Sequence, residues 1–274
     1  MLGIIIIVIA AAVLLFAFLV APAYTTKKKK APFYGRNIAH RGLFSKDQSI
    51  PENSISSFDL ACEKGYGAEL DVQLTKDGRV VVFHDDTLKR MCGIDSRVDE
   101  VTFDESRGFS LSGTDQKIPL FSDVLKTVNG RGPLIVELKT GKKIFELCRK
   151  TYALLSQYDG EYCIESFDPF IVMWFRFHAP SVFRGFLSQR PREYGQSARD
   201  RITGALLGNV LFNFLARPNF IAYSIGKKPF SVRFCHELGA VPVCWTSHGR
   251  ENEEGNDVVI FEHYAPPAFF KEKK

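Results

Sequence analysis

Residues 68–85 read Ala68-Glu69-Leu70-Asp71-Val72-Gln73-Leu74-Thr75-Lys76-Asp77-Gly78-Arg79-Val80-Val81-Val82-Phe83-His84-Asp85. The opening alternates apolar and polar, so a strand over 68–72 places Glu69 and Asp71 on one side. A second apolar run over 79–83 ends in His84-Asp85. The residues between the two runs are too few for a parallel crossover, which takes a dozen or more. The chain therefore returns here without a helix, turning at Lys76-Asp77-Gly78.

Outward from this stretch, short apolar runs alternate with helical patterns. Strands are expected over 36–39, 134–138, 162–165, 182–187, 220–223, 241–245 and 258–261. Helices are expected over 54–64, 121–128, 142–157, 169–177, 198–215 and 229–238. Asn53 or Ser54 caps the first of these, Ser122-Asp123 introduces the second, and Gly130 follows it as a stop. Roughly eight strand–helix units imply a parallel sheet closed into a TIM (β/α)8 barrel, somewhat irregular because nine strand runs are present. Residues 85–118, rich in Gly, Ser and Asp, read as a loop insertion. The apolar stretch 205–216 is too short to span a bilayer and reads as a core or barrel-wall helix rather than a membrane-dipping one.

In such a barrel the C-terminal strand ends carry the chemistry. The first run ends in His40-Arg41-Gly42, the run over 134–138 in Glu137-Leu138-Lys139, and the next in Glu165-Ser166-Phe167. Singly, each polar residue has a bland explanation: a strand-end histidine is commonly structural, and a carboxylate commonly pairs with a surface lysine. Together they converge on one face, and burying several carboxylates there is costly without a partner. A hard divalent cation is the natural one. Glu69, Asp71 and Glu137 supply oxygen ligands suited to Mg2+, Ca2+ or Mn2+.

The ordered set His40-Arg41-Gly42, Pro51-Glu52-Asn53-Ser54, 69–78, Phe83-His84-Asp85, Asp86-Thr87-Leu88-Lys89-Arg90, Ile118-Pro119-Leu120, Val136-Glu137-Leu138-Lys139, Ser166-Phe167 and Cys244-Trp245-Thr246 closely resembles glycerophosphodiester phosphodiesterases. The resemblance covers about residues 36–262 and is dense in the first half. It implies a TIM barrel that hydrolyses glycerophosphodiesters to sn-glycerol 3-phosphate and an alcohol. It further implies that Glu69, Asp71 and Glu137 bind one divalent cation, and that His40 and His84 form the acid–base pair. By the same resemblance Arg41 and Lys139 contact the phosphate, with Glu52 supporting. The second half departs from the pattern at Ser247-His248-Gly249 and Phe261-Glu262-His263-Tyr264, and Arg90-Met91 replaces a common Arg-Thr. These departures leave the headgroup open. A lysophospholipase D-like activity on membrane lysolipids is the enzymatic alternative. A membrane-tethered, non-catalytic scaffold is the alternative of another class, and it predicts loss of one or more of His40, His84, Glu69, Asp71 and Glu137.

Residues 2–23 carry no charge, and about 20 apolar residues suffice for a transmembrane helix. A cleaved signal peptide is the rival reading. The missing Lys or Arg before the run and the length of the run favour a retained anchor. Lys27 to Lys30 follow at once, which places the N-terminus outside and the barrel, residues 36–274, on the cytoplasmic side. Residues 24–35 then read as a basic juxtamembrane tether held close to anionic headgroups. The net charge of +5 is concentrated in this run and in Lys271, Lys273 and Lys274, so composition makes no case for nucleic acid. The six cysteines show no Cys-x-x-Cys spacing, which argues against a zinc ribbon or disulfide framework and for free thiols.

Overall fold

Val, Ile and Phe fill the short runs, and a pleated strand buried on both faces suits these stiff or bulky side chains. In the computed structural model, which describes residues 1–272, they become β1 (Arg36–Ala39), β2 (Gly67–Leu74), β3 (Val80–Val82), β4 (Leu134–Leu138), β5 (Tyr162–Ser166), β6 (Phe183–Ser188), β7 (Phe220–Ser224), β8 (Val241–Ser247) and β9 (Val258–Phe261). Lys273 and Lys274 of the basic C-terminal run lie outside the described residues. The parallel order β1-β2-β4-β5-β6-β7-β8-β9 closes where β1 pairs with both β2 and β9. The ninth strand is β3, antiparallel to β2, with Val72 opposite Val82. It is the short return anticipated at residues 76–78, and it stands outside the eight-stranded ring.

The helices are α1 (Leu2–Val20), α2 (Lys27–Lys30), α3 (Ile55–Glu63), α4 (Lys89–Cys92), α5 (Phe103–Ser106), α6 (Phe121–Val128), α7 (Ile144–Leu155), α8 (Pro169–His178), α9 (Ala198–Leu207), α10 (Asn213–Ala216) and α11 (Phe230–Glu237). Period-2 alternation sorts the strand residues. Leu70, Val72, Val136, Leu138 and Ile164 pack outward against α3, α6, α7 and α8. Ile38, Ile135, Cys163, Phe220, Ala222 and Val243 fill the interior. Glu137 and Glu165 lie two residues beyond Ile135 and Cys163 on the same strands, so they face the same interior one pleat nearer the C-terminal mouth. The interior is therefore apolar at its base and acidic at its mouth.

Several elements differ from expectation. Ser54, with Ser57, closes a capping box on α3, while Asn53 is turned to another use described below. Ser122 and Asp123 lie inside α6, which has no side-chain cap and ends at Asn129 in the left-handed region. The helix expected over 198–215 is broken into α9 and α10, and Val210 between them has φ 51°. Residues 85–118 are more than loop: Leu88, Met91, Val98, Leu111 and Ile118 form a small core with Val81 and Phe83.

The N-terminal segment differs most. The apolar helix stops at Val20 rather than residue 23, because Pro22 disfavours helical backbone at Ala21, which is extended (ψ 134°). The helix is long and apolar enough to cross a membrane, a test that a signal sequence also passes. Residues 24–35 are not a loose tether. Phe33 is 2% exposed and plugs the barrel base, its ring 5.5 Å from that of Phe183. Burying an aromatic ring there is worth a few kcal/mol, about 1.5–3, and draws the chain in. Lys29 Nζ donates to the Pro180 carbonyl at 3.2 Å, and Lys30 pairs with Asp257 at 3.5 Å.

Candidate active site

Four strands and one loop bring the sequence-predicted residues together. β2 carries Glu69 and Asp71, β4 carries Glu137, and one oxygen of each lies within 4.8 Å of the other two. Register explains the meeting: Asp71 stands directly beside Glu137 across the β2–β4 ladder, and Glu137 beside Glu165 across β4–β5. Lys139 leaves the end of β4 and turns inward, with Nζ 2.8 Å from Glu137 and 3.3 Å from Asp71.

Past β1 the backbone turns sharply. Arg41 has φ 51° and Gly42 φ 76°, and a Cβ on Gly42 would lie 2.4 Å from Ser57 Oγ, so no side chain fits. That turn lets the Arg41 amide donate to Glu69 at 3.0 Å. The Arg41 guanidinium donates to Glu52 at 2.7 Å, and its Nε stands 3.6 Å from Asp71. Glu52 in turn accepts two bonds from Arg90, at 2.7 and 2.9 Å, and so steers Arg41 without reaching the acidic cluster. Asn53, expected as a cap, donates to Asp71 at 2.8 Å.

The two histidines share one arrangement. His40 Nδ1 is 2.7 Å from Glu262, and His84 Nδ1 is 2.7 Å from Asp85. A carboxylate only accepts, so each bond puts a proton on Nδ1. The Nε2 of His40 faces the cluster, 3.9 Å from Glu69. Asp85 is itself held by Arg90, at 2.6 and 2.9 Å. Arg90 thus ties the supports of Arg41 and His84 into one network.

The electrostatics are unbalanced. Glu69, Asp71, Glu137 and Glu165 are all buried, against the two buried or half-buried cations Arg41 and Lys139. Burial, then repulsion from Asp71 and Glu137, pushes the Glu69 carboxyl well above the usual range. Burial, then Glu137 and Asp71, does the same to Glu165, whose Oε2 has no hydrogen-bond partner. Glu137 is raised by burial despite Lys139. Burial opposes ionisation of Asp71 too, but Lys139, His84 and Arg41 outweigh it and hold the carboxyl below the usual range. His40 is lowered by burial, partly offset by its bond to Glu262. Such a surplus of buried negative charge, with an orphaned oxygen beside it, fits a hard divalent cation.

Every predicted site residue is therefore brought to one mouth. The sequence reading gave no role at the site to Glu262, Asp85, Arg90 or Glu165, and took Asn53 only as a helix cap. Asp85 and Glu165 stand at strand ends that were already singled out, but Glu262 lies 222 residues from His40 and has no local signal beyond its place after β9.

Residues 40–261 match the glycerophosphoryl diester phosphodiesterase family. The chain belongs to that family. Among its relatives are a glycerophosphodiester phosphodiesterase of Caldanaerobacter subterraneus and a lysophospholipase D of Rattus norvegicus. The first is 32% identical over 56% of this chain and 66% of its own length. The second is 31% identical over 52% of this chain and 47% of its own length. The chain thus spans less than two thirds of either relative. An Oleispira antarctica phosphodiesterase solved with its product sn-glycerol-3-phosphate superposes with TM-score 0.65 at 21% identity, covering 84% of this chain and 93% of that one. A glycerophosphodiester phosphodiesterase from Thermotoga maritima gives TM-score 0.60 at 25% identity, covering 82% and 92%. These neighbours share the phosphodiesterase barrel described above.

Proposed function

We propose that this family member is a phosphodiesterase that hydrolyses glycerophosphodiesters to sn-glycerol 3-phosphate and an alcohol with the help of one divalent cation. The observation that carries the reading is the convergence of Glu69, Asp71 and Glu137 within 4.8 Å, beneath two carboxylate-backed histidines. Glu69, Asp71 and Glu137 would hold Mg2+ or Ca2+, with Mn2+ also suited to the oxygen set. When bound, the ion would supply Lewis-acid stabilisation of the charge that builds on the phosphoryl oxygens.

The chain's own residues do the rest. Lys139 and Arg41 hold the phosphodiester by its anionic oxygens, and Glu52 and Arg90 fix the Arg41 fork. The oxygen of the attacking water bonds to phosphorus as one of its protons passes to the Nε2 of one histidine. The bond from phosphorus to the alcohol oxygen breaks, and the other histidine protonates that oxygen. Imidazole suits both tasks because it exchanges protons near neutrality. Glu262 and Asp85 keep each ring with Nδ1 protonated and Nε2 turned to the substrate.

The similarity to a lysophospholipase D and the apolar α1 favour a second reading, action on lysolipids of a membrane anchored through α1. The scaffold reading requires the loss of a residue from the set, and all five are present and converge. The test is release of glycerol 3-phosphate from glycerophosphocholine by the full chain in detergent, with Mg2+, Ca2+ or Mn2+ and with EDTA. Metal-dependent release is expected. Absence of glycerol 3-phosphate from glycerophosphocholine, together with absence of choline and lysophosphatidic acid from lysophosphatidylcholine, would overturn the catalytic reading.

A further inference from the structure

The course of α1 along the barrel sets which end of the molecule meets a bilayer. Its last residues are tied to the base of β7: Asn213 donates to the Val20 carbonyl at 2.9 Å, Arg217 to Ala21 at 2.8 Å, and Ala23 donates to Pro218 at 2.8 Å. One turn earlier, Phe16 stacks on Phe230 and Phe234 of α11, with ring centroids 6.1 and 5.8 Å away. Phe230 opens α11, which the chain enters from the C-terminal end of β7, the mouth. From Val20 back to Phe16 the helix therefore climbs away from the base in the direction of the mouth. Residues 2–15 continue in that direction for about 21 Å at about 1.5 Å per residue.

A length argument adds to this. The 19 residues of α1 extend about 28 Å, close to the roughly 30 Å hydrocarbon core. Its last turn is spent against the barrel, so a spanning α1 draws the adjoining shoulder into the interface. That shoulder is dressed for it. α9 lies at mouth level, its Leu207 carbonyl accepting from Ser188 Oγ at the end of β6 at 2.8 Å. Ile202 is 64% exposed, Leu206 37% and Phe230 64%. The exposed cations Arg192, Arg199 and Arg201 stand around them, matching anionic headgroups.

We infer that α9 and the first turn of α11 form an interfacial lipid-binding surface beside α1, which turns the barrel mouth toward the bilayer. This inference rests on the anchor reading above and deepens it: the substrate class becomes acylated phosphodiesters drawn from the membrane. It also moves the expected headgroup contact. Lys27 to Lys30 sit at the base, on the far side of the barrel, and the arginines at the α9 shoulder take their place.

The full chain in nanodiscs of phosphatidylcholine and phosphatidylglycerol with brominated acyl chains tests the orientation. Ile202→Trp adds a fluorophore at the shoulder and Leu238→Trp adds one at the base, each read against the unsubstituted chain. Quenching at least twofold greater for Ile202→Trp is expected; equal or reversed quenching overturns the inference. The Ile202→Asp/Leu206→Asp/Phe230→Asp chain is expected to lose at least tenfold of its turnover on lysophosphatidylethanolamine in bilayers, while glycerophosphocholine turnover stays within twofold. Unchanged turnover on both substrates overturns the inference, as does a change in oligomeric state without quenching, which would give the surface to a second copy. A chain that does not enter nanodiscs loses the anchor and the orientation together, yet its glycerophosphocholine turnover would still stand. No turnover in any protein, with strong quenching for Ile202→Trp, would remove the chemistry and leave the orientation.

Discussion

The sector built from β1, β2 and β4 and the sector built from β6, β7 and β8 share one architecture and treat their strand ends in opposite ways. The first ends in His40, Arg41, Asp71, Glu137 and Lys139, whose partners lie across strands and loops. The second ends in Ser188, Ser224 and Ser247. Ser188 and Ser247 bond to the Leu207 and Gly249 carbonyls, and Ser224 bonds to Glu193. Its outer face carries α1. One sector holds like charges close together, which stability alone does not favour. The other spends its hydroxyls on nearby loops and offers packing. Crowded charge at the strand ends marks the first sector for chemistry, and bonded hydroxyls at the strand ends mark the other as its support.

The comparison breaks if the charged sector proves dispensable. His40→Ala is expected to lower kcat/KM by about 10² to 10⁴, with divalent binding by calorimetry retained. Asp71→Asn is expected to lose both turnover and ion binding, and an Asp71→Asn chain that still bound the ion would remove Asp71 from the ligand set. Next in size is a pH effect in the supporting sector. His236, in α11, is lowered to about 4 by burial and then by Lys228, with Asp257 opposing, and its Nε2 has no hydrogen-bond partner. Its folded pKa lies below the unfolded value, so the unfolded chain binds the extra proton. The fold then loses stability as pH falls from about 6.5 toward 4, by up to about 3 kcal/mol. Urea melts of the wild type and His236→Gln between pH 7 and 4.5 read this directly; parallel pH profiles would refute it.

Smaller effects sharpen the contrast. Glu262→Gln keeps the shape of the His40 partner and removes its charge. A fall in kcat of about tenfold, with KM little changed, is expected if Glu262 positions the ring. A shift in KM alone would assign it to binding. Ser224→Ala is expected to cost about 1 kcal/mol, the net worth of one hydrogen bond, and to leave kcat/KM unaltered. A Ser224→Ala chain that lost activity in proportion to His40→Ala would erase the distinction between the sectors.

Legibility also differed between regions. Glu69 and Asp71 could be paired from sequence because a strand repeats every two residues, so separation alone assigns a face. The return over residues 76–78 was legible because the six residues between the two runs leave no room for a crossover. Asn53 and Ser54 were equal candidates for the cap of α3. Only the position of Asp71 opposite decided that Asn53 bonds the carboxylate and Ser54 caps. Glu262 looked like a departure from the family pattern until it proved to be the partner of His40.

By itself the sequence determined the order of elements, the strand faces and the residues that reach the barrel mouth. These follow from periodicity, chain geometry and the cost of placing charge among apolar neighbours, all of which act locally. Tertiary structure alone decided that Phe33 plugs the base, that Lys27 to Lys30 lie beside it, and that α1 climbs toward the mouth. Those outcomes depend on contacts between segments nearly two hundred residues apart, such as Asn213 with Val20. No local propensity encodes them, because their free energy exists only once the barrel has closed and its surface is there to pack against.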